Sequence, residues 1–383
     1  MNREVYLDNN ATTQALPEVV DAVADAMVEG FGNPSSVHGV GARARRMVQN
    51  AREQVASTLN ADAHSIVFTS GATEANNLAL QSLRAGGLAG YRLVTSAVEH
   101  SAILEAAEYL RGLGQEVVVL PVERDGLVDV QALAEAIDPG RTLVSIQWAS
   151  NETGVVQPIA QMLAIARERG ALFHTDAVQA VGKLPIDLAV TDVDFLSLSA
   201  HKIHGPLGIG ALIAKDVSLL QPLAYGGSQE GAVRPGTENV PGIVGMGVAL
   251  EVRASRFNEV ARGTQELRDR FESELASLGL VASINGSPAP RLPATSSVRF
   301  AGADGEALIL RLDGLGIRCS QSSACTNQKP EPSYVLRAMG LSEDEAFSSV
   351  RFGFSELNQQ DDVGAAVAAI ASIHASLARF AIA

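Results

Sequence analysis

The sequence predicts an α/β protein, with a mostly parallel, doubly wound sheet in a large domain and a smaller α+β domain at the C-terminal end. Two observations carry this expectation. Apolar runs of strand length recur at 65–69, 92–95, 116–120, 142–146, 171–173 and 194–198, alternating with helical segments, the pattern of parallel strands joined by crossover helices. Near residue 255 the alternation gives way to a helix over 259–278 with its charged residues on one face, then short strands around 297–300 and 349–352.

Taken in order, the first run leads into Ser70-Gly71-Ala72-Thr73-Glu74, which opens a helix. Strand, glycine turn and helix start leave backbone N–H groups and the positive end of the helix dipole facing an anion, and the Thr73 hydroxyl adds a donor. That is a phosphate cradle. Over 159–169, Ile159, Leu163 and Ala166 alternate with Gln161, Arg167 and Glu168 at helical spacing, which predicts a crossover helix. The run at 171–173 ends in Asp176, a carboxylate placed to pair with a pyridinium nitrogen. The run at 194–198 leads into Ser199-Ala200-His201-Lys202-Ile203-His204-Gly205-Pro206. A lysine at the floor of a cleft can lose its proton through desolvation and form a Schiff base with an aldehyde, as pyridoxal phosphate requires. His100, Asn151, Asp176 and Lys202 all fall just beyond predicted strand ends, where open α/β sheets bind their ligands.

Composition sets the outer bounds. A chain of 383 residues with net charge −14 is long enough for two domains and offers nucleic acid no general electrostatic attraction. Its apolar runs are strand-sized and broken by polar residues, so no membrane span is expected, and the first residues lack the apolar core of a secretion signal. Only two cysteines occur, Cys319 and Cys325, which fits a reducing, cytoplasmic setting and leaves no disulfide framework. Cys325 lies in a small, polar stretch at 319–328 with no apolar period to bury it, which predicts an exposed thiol. His201 and His204 are spaced to share a helix face, yet no Cys, Asp or Glu nearby completes a ligand set, so no metal is expected. His38, His64 and His174 have no partner that sequence identifies. Loop signals stand at 286–290 and 328–332.

Motifs at 6–13, 31–38, 68–74, 99–100, 151–154, 174–179, 199–206, 234–239 and 322–326, in order and nearly end to end, resemble the cysteine desulfurases. These are pyridoxal 5′-phosphate enzymes of the class V aminotransferase group, and the likeness is closer to the nitrogen-fixation type than to the sulfur-mobilisation type. The resemblance implies a fold-type-I enzyme and a homodimer. It implies a large cofactor-binding domain at 14–255 and a discontinuous small domain at 1–13 and 256–383, the latter carrying the catalytic cysteine loop at about 319–332.

The same resemblance assigns roles. Lys202 holds the cofactor and removes the substrate Cα proton, Asp176 pairs with the ring nitrogen, and His100 covers the ring and shuttles a proton. Ala72, Thr73, Ser199 and His201 hold the phosphate, and Thr237 reaches in from the partner subunit. Gln179 bonds the phenolic oxygen, Asn151 positions ring and substrate, and Arg351 grips the substrate carboxylate. Cys325 takes the sulfur of L-cysteine as a persulfide, releasing L-alanine, and passes it to an iron–sulfur scaffold protein or another sulfur acceptor. Cys319 is expected to be structural. The rival activities are a selenocysteine lyase or an aminotransferase on the same scaffold, and a catalytically idle cofactor-binding scaffold. Cys325 discriminates, because transamination has no use for a thiol. The chain departs from its relatives at Gly231 and Val233, where they usually carry basic residues, and at Glu356, where they often carry arginine.

Overall fold

The computed structural model describes residues 4–300, 302–321 and 331–380. A short strand β1 (Val5–Tyr6) precedes helices α1 (Pro17–Glu29) and α2 (Gly39–Leu59). The strands β2 (Ile66–Thr69), β3 (Arg92–Ser96), β4 (Val117–Leu120), β5 (Thr142–Ser145), β6 (Leu172–Asp176), β7 (Phe195–Ser199) and β8 (Gly210–Ala214) then form a seven-stranded sheet in the order β2-β8-β7-β6-β5-β3-β4. All but β8 run parallel, as the alternating sequence pattern predicts. The exception has a local cause. Only a 3-10 turn (Ala200–Lys202) lies between Ser199 and Gly210, too short a connection for a parallel crossover, so β8 returns antiparallel beside β7.

Helices cover both faces, and the strand residues divide between them by alternation. Ile66, Phe68, Val144, Leu196, Ala211 and Ile213 pack into a core shared with α2, α6 (Ile159–Glu168) and α7 (Val240–Ser255). Val67, Leu143, Phe195, Leu212 and Ala214 point the other way, into a core shared with α3 (Ala72–Gln81) and α4 (Ser101–Gly112). A strand buried on both faces reads as an unbroken apolar run, which makes β2, β5 and β7 legible in the sequence. The crossover helix at 159–169 is present as α6, whereas α7 has no counterpart in the sequence reading. Its apolar residues lie almost all round, so no amphipathic stripe marks it. The edge strand β2 is closed by side chains: Glu230 Oε2 accepts from the Phe68 N–H at 2.9 Å, and Arg52 donates to the Ile66 carbonyl.

After α7 and α8 (Phe257–Ser277), a second antiparallel sheet is built from β9 (Val281–Ile284), β10 (Thr295–Phe300) and β12 (Ser349–Gly353), in the order β12-β10-β9. The two-residue strand β11 (Ile317–Arg318) pairs with β1 in parallel. A separate core joins Leu267, Phe271, Val298, Phe352 and Ile370 to Val5 and Leu7 from the chain start, with the Phe271 and Phe352 rings 4.7 Å apart. No helix among the described residues is long and apolar enough to cross a membrane.

Gly210 fixes how closely β8 approaches the turn ahead of α3. A Cβ there would lie 2.6 Å from the Leu198 carbonyl oxygen and 2.7 Å from Gly71 Cα, both backbone atoms. Gly210→Ala is therefore expected to destabilise the fold by roughly 1–3 kcal/mol and to loosen the Gly71 turn. Urea denaturation curves for the two proteins measure it.

Candidate active site

The carboxyl ends of the parallel strands open into a cleft of about 410 Å³. Its floor is the turn after β7, where Lys202 Nζ donates to the Asn10 carbonyl at 2.7 Å and to the Ala11 carbonyl at 2.6 Å. Asp176 closes β6. Its Oδ2 accepts from Asn76 Nδ2 at 2.7 Å and its Oδ1 from the Val178 N–H at 3.0 Å, so the buried carboxylate is held on both sides while still lining the cleft. Opposite stands the N-terminus of α3, with Gly71, Ala72 and Thr73 along the wall and Ser199 beside them.

His100 caps α4. Its Nδ1 accepts from the Ala102 N–H at 3.1 Å, which leaves the ring proton on Nε2. Burial pushes its pKa down, the Asp176 carboxylate opposes that, and the Lys202 amine adds to it. The preceding Glu99 is fully buried. It accepts from Ser96 Oγ at 2.6 Å and from the Gln147 N–H through both oxygens, at 3.0 and 2.8 Å. Burial raises its pKa to about 8 against those hydrogen bonds, with Asp176 adding to the rise.

Arg351, on β12, brings the second sheet to the cleft and is only 1% exposed. Its Nη2 donates to Asp8 Oδ1 at 2.8 Å and its Nη1 to the Asn151 carbonyl at 3.2 Å. Nε is buried without a hydrogen-bond partner. Asn151 lines the cleft, and its carbonyl also accepts from Asn10 Nδ2 at 3.0 Å. His201 bonds Thr12 Oγ1 through Nδ1 at 3.1 Å. Its pKa falls to about 4, mainly through burial and then through the Lys202 and Lys183 charges.

The sequence-expected residues are thus largely gathered in one place, with three qualifications. Gln179 lines the cleft with its amide already engaged: Nε2 donates to the Asn10 carbonyl at 2.9 Å and Oε1 accepts from Lys183 Nζ at 2.6 Å. Thr237 is exposed in the segment ahead of α7 and does not line the cleft. Cys325 lies outside the described residues. Cys319 is half-buried, and burial followed by the neighbouring Asp8 charge pushes its thiol up to about 12. A thiol so protonated is no nucleophile near neutral pH.

The remaining histidines resolve individually. His204 lies past the 3-10 turn at φ 62, with its ring on the Gln14 carbonyl at 2.7 Å, so it shares no helix face with His201. No group of three or more side chains able to hold a metal occurs among the described residues. His174 is buried between Ser145 Oγ at 2.8 Å and Ser197 Oγ at 3.0 Å, its pKa pushed to about 3 by burial. His38 caps α2 by accepting from the Gly41 N–H, and His64 is exposed. Sequence reasoning missed the roles of Asp8, Asn10, Asn76 and Lys183. Asp8 and Asn10 lay inside the quoted motif at 6–13, but only the fold shows what they touch.

The donor set fits a phosphorylated pyridine aldehyde. The α3 N-terminus suits a phosphate, Asp176 a protonated ring nitrogen, and Lys202 an aldehyde carbon. Gly210 matters here too, since a side chain at that position would press on the Gly71 turn. A family model described as aminotransferase class-V matches residues 5–365. A cysteine desulfurase of Cereibacter sphaeroides is 46% identical over 92% of this chain and 90% of its own length. A protein named cysteine desulfurase IscS, from Dictyoglomus turgidum, is 42% identical over 95% of this chain and 92% of its own. A solved structure titled NifS-like protein superposes with a TM-score of 0.90 at 36% identity, covering 97% of this chain and 100% of that one.

Glu99 generates a pH prediction. Its folded-state pKa of about 8 is above the unfolded value, so its proton stabilises the fold at low pH, and that contribution is lost as pH rises toward 8. Between pH 5 and 8 it lowers stability by up to about 1.4 kcal/mol per pH unit. Glu99→Gln, which imitates the protonated acid, is expected to remove that slope. Urea midpoints of both proteins at pH 5, 6.5 and 8 measure it, and parallel pH profiles would refute it.

Proposed function

Because this chain belongs to the class-V aminotransferase family and, within it, to the cysteine desulfurases, pyridoxal 5′-phosphate enzymes, we propose a division of labour among its residues. The observation that carries it is the convergence of Lys202, Asp176, the α3 N-terminus and Arg351 on one cleft. Lys202 Nζ would hold the cofactor aldehyde, and the N–H groups at Ala72 and Thr73 the phosphate, together with Ser199 and His201. Asp176 would pair with the ring nitrogen. When bound, the cofactor supplies an electron sink for charge that develops at the substrate Cα.

The protein groups do the rest. Arg351 engages the carboxylate of L-cysteine, its place in the cleft lining supporting this assignment. Lys202 removes the Cα proton. His100, neutral and with its proton on Nε2, would cover the cofactor ring and move a proton to or from the substrate thiol. Gln179 keeps one amide proton for the phenolic oxygen while the other serves Asn10. The Cys325 thiolate attacks the substrate sulfur. The carbon–sulfur bond breaks with its electron pair on carbon, which takes a proton and leaves as L-alanine, while the sulfur stays as a persulfide on Cys325.

The reading extends to assembly. A homodimer would bring Thr237 to the partner's cleft, and the exposure of Leu207 (73%) at the cleft wall and of Phe31 (74%) and Tyr225 (83%) elsewhere supports such an interface. Domain limits at 14–255 and at 1–13 with 256–383 are supported by the packing of Val5 and Leu7 among C-terminal residues. A cytoplasmic enzyme handing its persulfide to an iron–sulfur scaffold protein, or to another sulfur acceptor, completes the proposal.

Three sets of variants test the assignments. Lys202→Ala is expected to lose the covalently held cofactor. Cys325→Ser is expected to keep cofactor and substrate binding but to form no persulfide, whereas Cys319→Ser stays near wild type; equal loss of sulfide release in both cysteine variants would sink the assignment. Arg351→Ala is expected to reduce kcat/KM for L-cysteine roughly 30- to 1,000-fold at unchanged cofactor content, with Arg351→Lys still clearly impaired because an ammonium lacks the planar fork. Steady-state kinetics measure both.

A further inference from the structure

Arg351 is a buried cation whose counter-charge is already in place. Asp8 Oδ1 takes its Nη2, and Asp8 Oδ2 accepts from Ser320 Oγ at 2.7 Å. The Asp8 backbone bridges to Gly353, two residues beyond Arg351 on the same strand. Asp8 does not line the cleft, so its carboxylate reaches the site only through the guanidinium. A guanidinium buried this deeply requires such a partner, because removing it from water uncompensated is strongly unfavourable. The Nη1 contact to the Asn151 carbonyl and the Asp8 contact together fix the guanidinium plane and leave Nε over.

We propose that Asp8 is a positioning residue that sets the affinity for the substrate carboxylate. It fixes the guanidinium at the cleft wall, and its own charge offsets part of the arginine's attraction. The inference rests on Arg351 being the carboxylate-binding group. Two carboxylates sharing one guanidinium repel each other, so the internal one weakens the hold on the external one. Asp8→Asn keeps the shape and removes the charge, making the substrate carboxylate the sole counter-ion. Ser320→Ala does the reverse: it keeps the charge and takes away the hydroxyl that shares it, so that Asp8 bears more strongly on Arg351.

The two variants therefore shift binding in opposite directions, which a merely structural role for either residue would not do. The probe is L-alanine, titrated into each holoenzyme and followed by the absorbance of the bound cofactor, with L-cysteine kinetics alongside. Asp8→Asn is expected to tighten L-alanine binding and lower the KM for L-cysteine by about fivefold, with kcat within about twofold of wild type. Ser320→Ala is expected to weaken L-alanine binding about twofold or more. Unchanged or weaker binding in Asp8→Asn overturns the proposal. If that variant does not fold, unchanged or tighter binding in Ser320→Ala does so. An Arg351→Ala control separates the levels. Normal L-alanine binding in that control removes the premise, whereas weakened binding there with no change in the other two removes the Asp8 inference alone.

Discussion

One short segment, residues 8–13, is the constraint on which the site depends. It lies between the two sheets and gives hydrogen bonds to both. The Asn10 carbonyl accepts from Lys202 Nζ and from Gln179 Nε2, and its side chain reaches Asn151 and Thr295 Oγ1 at 2.9 Å. The Thr13 N–H and hydroxyl both donate to the His201 carbonyl, and the Thr13 oxygen accepts from the His204 N–H. Asp8 holds Arg351. Buried polar groups of this kind must be satisfied together, because an orphaned partner costs about 1–3 kcal/mol. The segment therefore fixes Lys202, Gln179, Asn151 and Arg351 relative to one another although they come from four distant stretches of sequence.

Charge explains the protonation pattern of the cleft. Lys202, Lys183, Arg253 and Arg351 lie close enough that the other three all push Lys183 well below the ordinary lysine value, after burial itself. Burial, and after it the same field, keeps His201 neutral. Lys202 and Arg351 beside neutral imidazoles in the cleft suit an anionic cofactor and a substrate carboxylate. Glu356 is paired inside the fold: it takes Arg253 Nη1 at 2.9 Å and so joins α7 to the segment after β12.

Sequence alone determined the layered architecture and the chemistry of the strand ends. Strands buried on both faces must be apolar throughout, and the turns that follow them must be polar to serve a ligand, so 65–69, 171–176 and 194–202 carry both messages in consecutive residues. Motif order did the same for the family. Among the elements not read from the sequence, α7 is apolar nearly all round, and β8 is antiparallel only because its connection is short. The tertiary structure alone decided the pairings. Asp8 with Arg351 and Asn76 with Asp176 are separated by 343 and 100 residues. A residue's type shows which bond it can make, but which partner lies within 3 Å is fixed only when the chain closes around a core that excludes water.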